Sequence, residues 1–139
     1  MIDENIIDWL KLADDDLKTA KDIYKLSHYR IACFLSQQSV EKYLKAFLVY
    51  KNYFDIYKHR THDIRILIDE CKNIDKSFNS LEKSTGVKMI EELSKYSIKS
   101  RYDPKSIENV TEEDAKEAID IAEKVREFIY KKLNISIDQ

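Results

Sequence analysis

The chain has 139 residues, with one glycine, one proline, 43% hydrophobic and 36% charged residues, and a formal net charge of −2. This length is typical of one domain with a substantial core. Phosphate-binding loops and dinucleotide fingerprints need several glycines, so the single Gly86 excludes P-loop and Rossmann folds. No apolar run approaches the roughly 20 residues that span a bilayer. The acidic N-terminus is unlike a signal peptide, so we expect a cytoplasmic protein without membrane contact.

The first half of the chain predicts three helices. Apolar residues spaced three and four apart indicate an amphipathic helix over residues 6–24 and a second one from about residue 32 to residue 50. The short interruption at Ser27 and His28 predicts that these two helices form an antiparallel hairpin. Thr61 is expected to cap a third helix, which carries Ile64, Leu67, Ile68 and Cys71.

The second half predicts two more helices. Residues 73–86 have weak periodicity and are expected to contain a short helix at most. A fourth helix is predicted from about residue 87 to residue 99, ahead of Pro104. The last helix begins at Thr111, which together with Asp114 resembles a capping box. The sequence therefore predicts an all-α, five-helix up-and-down bundle with a single domain over residues 1–139.

Charge is segregated along the chain. Residues 1–22 carry seven acids and three bases, whereas residues 42–65 carry six Lys or Arg, two Asp and two His. Aromatic and basic residues alternate in the second stretch, and these residue types stack on bases and contact phosphates. They are Tyr50, Lys51, Tyr53, Phe54, Tyr57, Lys58 and Arg60. The alternative interpretation is an ordinary solvated helix surface.

A polar stripe is predicted in the middle of the second helix. Gln38, Glu41 and Lys45 are three and four residues apart and therefore share one face, with Glu41 and Lys45 in the favourable order for an ion pair. One interpretation is a stripe that only supports its own helix. The other is that Gln37 and Gln38 are buried glutamines that pair across helices.

Two further groups of residues could take part in catalysis or ligand binding. His62 has a side-chain pKa suited to proton transfer near neutral pH, and Asp63 could orient it, although both could simply satisfy the first turn of the third helix. Arg101 is one of five arginines against 19 lysines, which favours a planar donor for a carboxylate or phosphate, or a loop-stabilising pair with an Asp. The three histidines lack metal-ligand spacing, so no metal or cofactor is expected.

Several phrases together resemble a known family. They are HYRIACFLSQQSVEKYLKAFL at 28–48, THDI at 61–64, SRYDP at 100–104 and TEEDAKEAIDIAEKVREFI at 111–129. The chain resembles the small stand-alone prokaryotic proteins of the HEPN family (higher eukaryote and prokaryote nucleotide-binding). The resemblance implies a helical bundle that pairs as a homodimer. It also implies a toxin–antitoxin type system in which the partner is a minimal nucleotidyltransferase (MNT).

The resemblance leads to two functional hypotheses. Many HEPN proteins are metal-independent ribonucleases with an Arg followed four to six residues later by His, and none of the five arginines here has a His at that spacing. The first hypothesis is therefore a module that binds RNA, a nucleotide or the MNT partner. The second is a ribonuclease with a rearranged site, in which His62 is the acid or base and Arg101 stabilises negative charge. The candidate binding residues are Gln38, Glu41, Lys45, Arg60, Asp63, Tyr102 and Asp103, with Tyr102 also a possible acceptor of AMP from the partner.

Overall fold

The computed structural model describes residues 3–53, 63–85, 92–96 and 109–136. Within these ranges the chain forms five α helices, one 3₁₀ turn and no strand. The helices are α1 (Glu4–Lys25), α2 (Tyr29–Tyr50), α3 (Ile64–Ile74), α4 (Phe78–Thr85) and α5 (Glu112–Leu133), and the 3₁₀ turn at Ser94–Tyr96 precedes α5. The predicted all-α bundle is confirmed. No helix among these residues has both the length and the apolarity needed to cross a bilayer.

Helices α1 and α2 form the predicted antiparallel hairpin. Ser27 turns the chain between them in the left-handed conformation, with φ of 66°. Trp9, near the start of α1, contacts Lys45 late in α2, while Asp16, further along α1, pairs with the earlier Lys42. The contacts thus run in opposite order along the two helices.

Helix α2 is the centre of the bundle. Fourteen of its 22 residues are buried, because α1, α3 and α5 all pack against it. Edge-to-face aromatic contacts extend the core from α2 to the other helices: the ring centroids of Phe47 and Phe78 are 4.7 Å apart, and those of Phe78 and Phe128 are 4.9 Å apart. A helix enclosed on several sides buries its polar residues as well as its apolar ones, and this decides the geometry of the candidate site.

The start of α3 differs from the prediction. Asp63, not Thr61, is the N-cap, and its carboxylate accepts a hydrogen bond of 3.0 Å from the backbone N–H of Arg65. A carboxylate directly before the first helical residue reaches the free N–H groups of the first turn, and it also suits the positive end of the helix dipole. Thr61 lies outside the described residues.

The segment before α5, where a fourth helix is predicted, is described only in part. Of residues 87–99 only 92–96 are described: Glu92 and Leu93 are α-helical, as predicted, and Ser94–Tyr96 continues as a 3₁₀ turn. Leu93 and Tyr96 are buried. The short helix allowed for within residues 73–86 is present as α4.

The predicted capping box of α5 is confirmed. The Thr111 hydroxyl accepts a hydrogen bond of 3.1 Å from the Asp114 N–H, and the Asp114 carboxylate accepts one of 3.0 Å from the Thr111 N–H. The helix ends at Asn134, which has a left-handed φ of 61°.

Candidate functional site

The predicted ion pair of α2 is present and deeply buried. The Lys45 ammonium lies 3.0 Å from the Glu41 carboxylate, and the two side chains are 7% and 3% exposed. The Lys45 Nζ also lies 5.7 Å from the centroid of the Trp9 ring, which α1 supplies. Each of these buried charges is stabilised by the other, because either one alone would be desolvated without compensation.

Two glutamines extend the stripe toward the N-terminal half of α2. Gln37 is fully buried and Gln38 is 8% exposed, and the Gln38 amide donates a hydrogen bond of 2.6 Å to the Gln37 side-chain oxygen. Burial of the glutamines was one of the two sequence interpretations. This particular bond joins neighbours in one helix rather than two helices. We call Gln37, Gln38, Glu41 and Lys45 the α2 polar stripe.

Asp63 lies at the start of α3 and bonds with an arginine of that helix. Besides capping α3, its carboxylate accepts hydrogen bonds of 3.1 Å and 2.9 Å from the Nε and Nη2 of Arg65. The Arg65 side chain lowers the pKa of Asp63, against the opposing effect of partial burial. Asp63 thus serves as a helix cap held by an arginine. The other five residues singled out from the sequence lie outside the described ranges, so their roles stay predictions: Arg60, His62, Arg101, Tyr102 and Asp103.

A second polar cluster was missed in the sequence. The Asp14 carboxylate of α1 accepts hydrogen bonds from the hydroxyl of Tyr43 on α2 and from the hydroxyl of Tyr130 on α5. It also accepts one of 2.9 Å from the Nε of Arg126, whose guanidinium carbon lies 4.6 Å from the centroid of the Tyr130 ring. One carboxylate therefore joins three helices. We call these four residues the Asp14 cluster.

The chemistry of the Asp14 cluster is that of a structural tie. Burial, followed by the hydrogen bond to Asp14, raises the pKa of Tyr130 to about 12 and that of Tyr43 further still. Both phenols therefore stay protonated and act as donors. A signal was available in the sequence, since Arg126 and Tyr130 are four residues apart on one helix face and arginines are scarce. The sequence does not show that Asp14, which is distant along the chain, contacts both Arg126 and Tyr130.

A groove of about 430 Å³ lies beside the Asp14 cluster, between α1 and α5. Its charged lining residues are three acids and three bases: Asp14, Lys18 and Lys21 from α1, and Glu123, Arg126 and Glu127 from α5. Lys21 pairs with Glu123 at 2.5 Å. The groove therefore has no net charge that would select an ion. Among the described residues no three His, Cys, Asp or Glu side chains form a group able to hold a metal ion.

Most of the described cations in the basic stretch at residues 42–65 form ion pairs. Lys42 pairs with Asp16, Lys45 with Glu41, and Arg65 with Asp63. Lys51 is the described cation of this stretch whose ammonium has no carboxylate partner. The segment is basic in sequence, but most of its described charge is neutralised within the molecule.

The fold and the site define a class: an all-α helical bundle whose central helix buries two adjacent glutamines and a Glu–Lys ion pair. The chain belongs to the HEPN family, because the HEPN domain profile matches it over residues 6–133. It is 34% identical over 133 residues to a protein of Methanocaldococcus jannaschii named "Putative toxin MJ1304", covering 87% of this chain and 83% of that one. The crystal structure of ST0689, described as an archaeal HEPN homologue, superposes with a TM-score of 0.67 at 26% identity, over 92% of this chain and 97% of that one.

Proposed function

We propose that this protein is the HEPN component of a two-gene system of the toxin–antitoxin type and that it acts by binding RNA or a nucleotide. One observation carries the proposal: over most of its length the chain is related to a protein that bears the name of a toxin. The HEPN match over residues 6–133 supports it. Binding is favoured over cleavage because no arginine is followed by a His at the spacing typical of HEPN ribonucleases.

In this proposal the α2 polar stripe positions the binding surface rather than touching the ligand. Lys45 is almost completely buried and its ammonium is engaged by Glu41, so it is poorly placed to meet a phosphate. A buried ion pair adds little net stability, because desolvation offsets most of the attraction. In this proposal the ion pair fixes the rotation of α2 about its axis. It thereby sets the direction of the exposed side chains at the end of that helix.

The proposal includes two protein partners. The family resemblance implies a homodimer and a minimal nucleotidyltransferase as antitoxin, and we take both as part of the proposed system. Light scattering coupled to gel filtration should give twice the chain mass of 16.5 kDa for the protein alone. Co-expression with a nucleotidyltransferase encoded beside it should give a larger complex. A monomer that binds no such partner would contradict this part of the proposal.

Growth provides the primary test. Induced expression of the full chain should slow the growth of a bacterial host, and co-expression of the nucleotidyltransferase should restore it. Glu41→Gln, which breaks the buried pair, should weaken the effect. The matched control Glu92→Gln breaks an exposed pair with Lys95 and should leave it unchanged. A host that grows normally with abundant soluble protein would refute the toxin function.

Binding and cleavage are separated with purified protein. RNA incubated with the full chain in buffer containing a metal chelator should be retarded in a native gel and remain full length in a denaturing gel. Shortened RNA that His62→Ala leaves intact would instead establish the ribonuclease hypothesis, with His62 in its site.

A further inference from the structure

Two exposed tyrosines and a lysine lie at the end of α2 and just after it. Tyr50 is 37% exposed and Tyr53 is 60% exposed, whereas the buried tyrosine of the same helix, Tyr43, is fully enclosed. The chain turns at Asn52, with φ of 59°, and the Tyr53 N–H donates a hydrogen bond of 2.9 Å to the Leu48 carbonyl. Tyr53 is thereby held against the last turn of the helix that carries Tyr50.

The Lys51 ammonium lies beside one of these exposed rings and beside a buried one. Its Nζ is 5.4 Å from the centroid of the Tyr50 ring and 5.9 Å from that of Phe47. The described cations Lys42 and Arg65 are held by Asp16 and Asp63, but the Lys51 ammonium has no carboxylate partner within the part of the chain that the structure describes. An ammonium without an ion pair among the described residues, next to an exposed ring, suits a ligand that presents both a flat π face and a negative charge.

We propose that Tyr50, Lys51 and Tyr53 form a contact surface for single-stranded RNA, with bases stacked on the two rings and a phosphate at the Lys51 ammonium. This rests on the proposed function and specifies its ligand. Unpaired bases are required, because the faces of bases in a duplex are covered by their neighbours.

The surroundings indicate that stacking, rather than long-range attraction, provides most of the affinity. Because α1 and α2 are antiparallel, α1 begins at this end of the bundle and brings Asp3 and Glu4 there. These carboxylates oppose the approach of a polyanion. The proposed surface thus differs from a broad basic patch, and its signature is sensitivity to the aromatic rings with a small dependence on salt at Lys51.

The test is fluorescence anisotropy of the full chain with a labelled oligouridine and with the same strand annealed to its complement. The wild-type protein should prefer the single strand. Tyr53→Ser should lower the affinity about tenfold, whereas Tyr53→Phe, which keeps a ring, should not. Lys51→Ala should reduce the slope of log K against log salt by about 0.7, the value for one phosphate contact on a single strand. The matched control is Lys25→Ala, an exposed lysine at the other end of the hairpin, which should change neither quantity.

Each outcome decides the inference. Wild-type binding that Tyr50→Ser and Tyr53→Ser leave unchanged would refute this surface and leave the RNA-binding function intact. Loss of RNA binding with both Tyr53→Ser and Tyr53→Phe would refute stacking as its basis. If the tyrosine variants instead lose the nucleotidyltransferase while RNA binding persists, the surface is a protein interface and the inference is wrong. A wild-type protein that binds no RNA would refute the inference and the RNA part of the proposed function together, while growth arrest would still test the toxin role.

Discussion

The ammonium of Lys45 and the carboxylate of Glu41 lie 3.0 Å apart in the middle of α2, and both side chains are more than nine-tenths buried. An exposed pair of the same type, Lys95 and Glu92, has a similar separation of 2.8 Å. The two pairs differ mainly in their surroundings. The interior around Lys45 weakens hydration of the charges, so each partner depends on the other in a way that the exposed pair does not.

Breaking the buried pair should be strongly destabilising. Glu41→Gln leaves the Lys45 charge buried and unpaired, and we expect the free energy of unfolding to fall by about 3–5 kcal/mol in urea denaturation. The control Glu92→Gln should lower it by less than about 1 kcal/mol. The double change Glu41→Gln with Lys45→Met removes both charges and should recover most of the loss. Equal losses for the buried and exposed pairs would contradict the role assigned to burial.

The Asp14 cluster should behave as one cooperative unit. Tyr130→Phe deletes one hydrogen bond to the Asp14 carboxylate and should lower the free energy of unfolding by about 1.5–3 kcal/mol. Asp14→Ala removes the shared acceptor and should have a larger effect than either tyrosine change. In the Asp14→Ala background, Tyr43→Phe should have almost no effect, because its partner is already gone. Additive effects in this double-mutant cycle would show that the tyrosines act independently of Asp14.

The turn between α3 and α4 should make stability depend on acid pH. The Ser77 hydroxyl donates a hydrogen bond of 2.7 Å to the Asp75 carboxylate, and Lys132 of α5 pairs with it at 3.0 Å. The Ser77 hydrogen bond is the first cause, and together with the Lys132 ammonium it holds the pKa of Asp75 at about 2, below its ordinary 3.8. A lowered folded-state pKa contributes stability that is present above pH 3.8 and lost as the pH falls toward 2.

The variant Asp75→Asn tests this dependence of stability on pH between 3.8 and 2. The variant should be less stable than the wild type at neutral pH, and the difference in unfolding free energy should shrink as the pH falls from 3.8 to 2. A difference that stays constant through this range would show that the loss does not come from the ionised carboxylate.

The capping box of α5 should contribute measurably to stability. Thr111→Ala removes the acceptor for the Asp114 N–H and should lower the free energy of unfolding by about 1 kcal/mol. Thr111→Ser keeps a hydroxyl acceptor and should retain most of this stability. Thr19 is a control of the same residue type inside α1, where its hydroxyl bonds the Asp15 carbonyl. Thr19→Ala should be neutral or slightly stabilising, because Ala has the higher helix propensity. A similar loss at both sites would argue against a capping effect.

Local features of the fold were predictable from the sequence because their causes are local. The three- and four-residue spacing of apolar residues identified α1, α2 and α5, and Thr111 with Asp114 identified the start of α5. The cap of α3 was placed two residues early, at Thr61 instead of Asp63, since both residue types suit an N-cap and only the folded chain selects between them.

The candidate site was only partly predictable. The sequence identified Glu41 and Lys45 as an ion pair on one face of α2, because helical spacing brings them together. It could not show that this face is buried, since the helix is enclosed by elements distant in sequence. Nor could it show the cluster at Asp14, whose hydrogen-bond partners Arg126 and Tyr130 are more than 100 residues away along the chain.

The sequence by itself determined that this protein is a helical bundle and that glycine-rich phosphate loops play no part in it, since one glycine cannot build such a loop. The tertiary structure decided which charges remain available to a ligand. Six cations in residues 42–65 suggested a broad basic surface. Of the four that the structure describes, packing pairs Lys42, Lys45 and Arg65 with acids and leaves Lys51 beside the exposed Tyr50. Charge along a chain is a sum over residues, whereas a binding surface depends on which of those charges the fold has already neutralised.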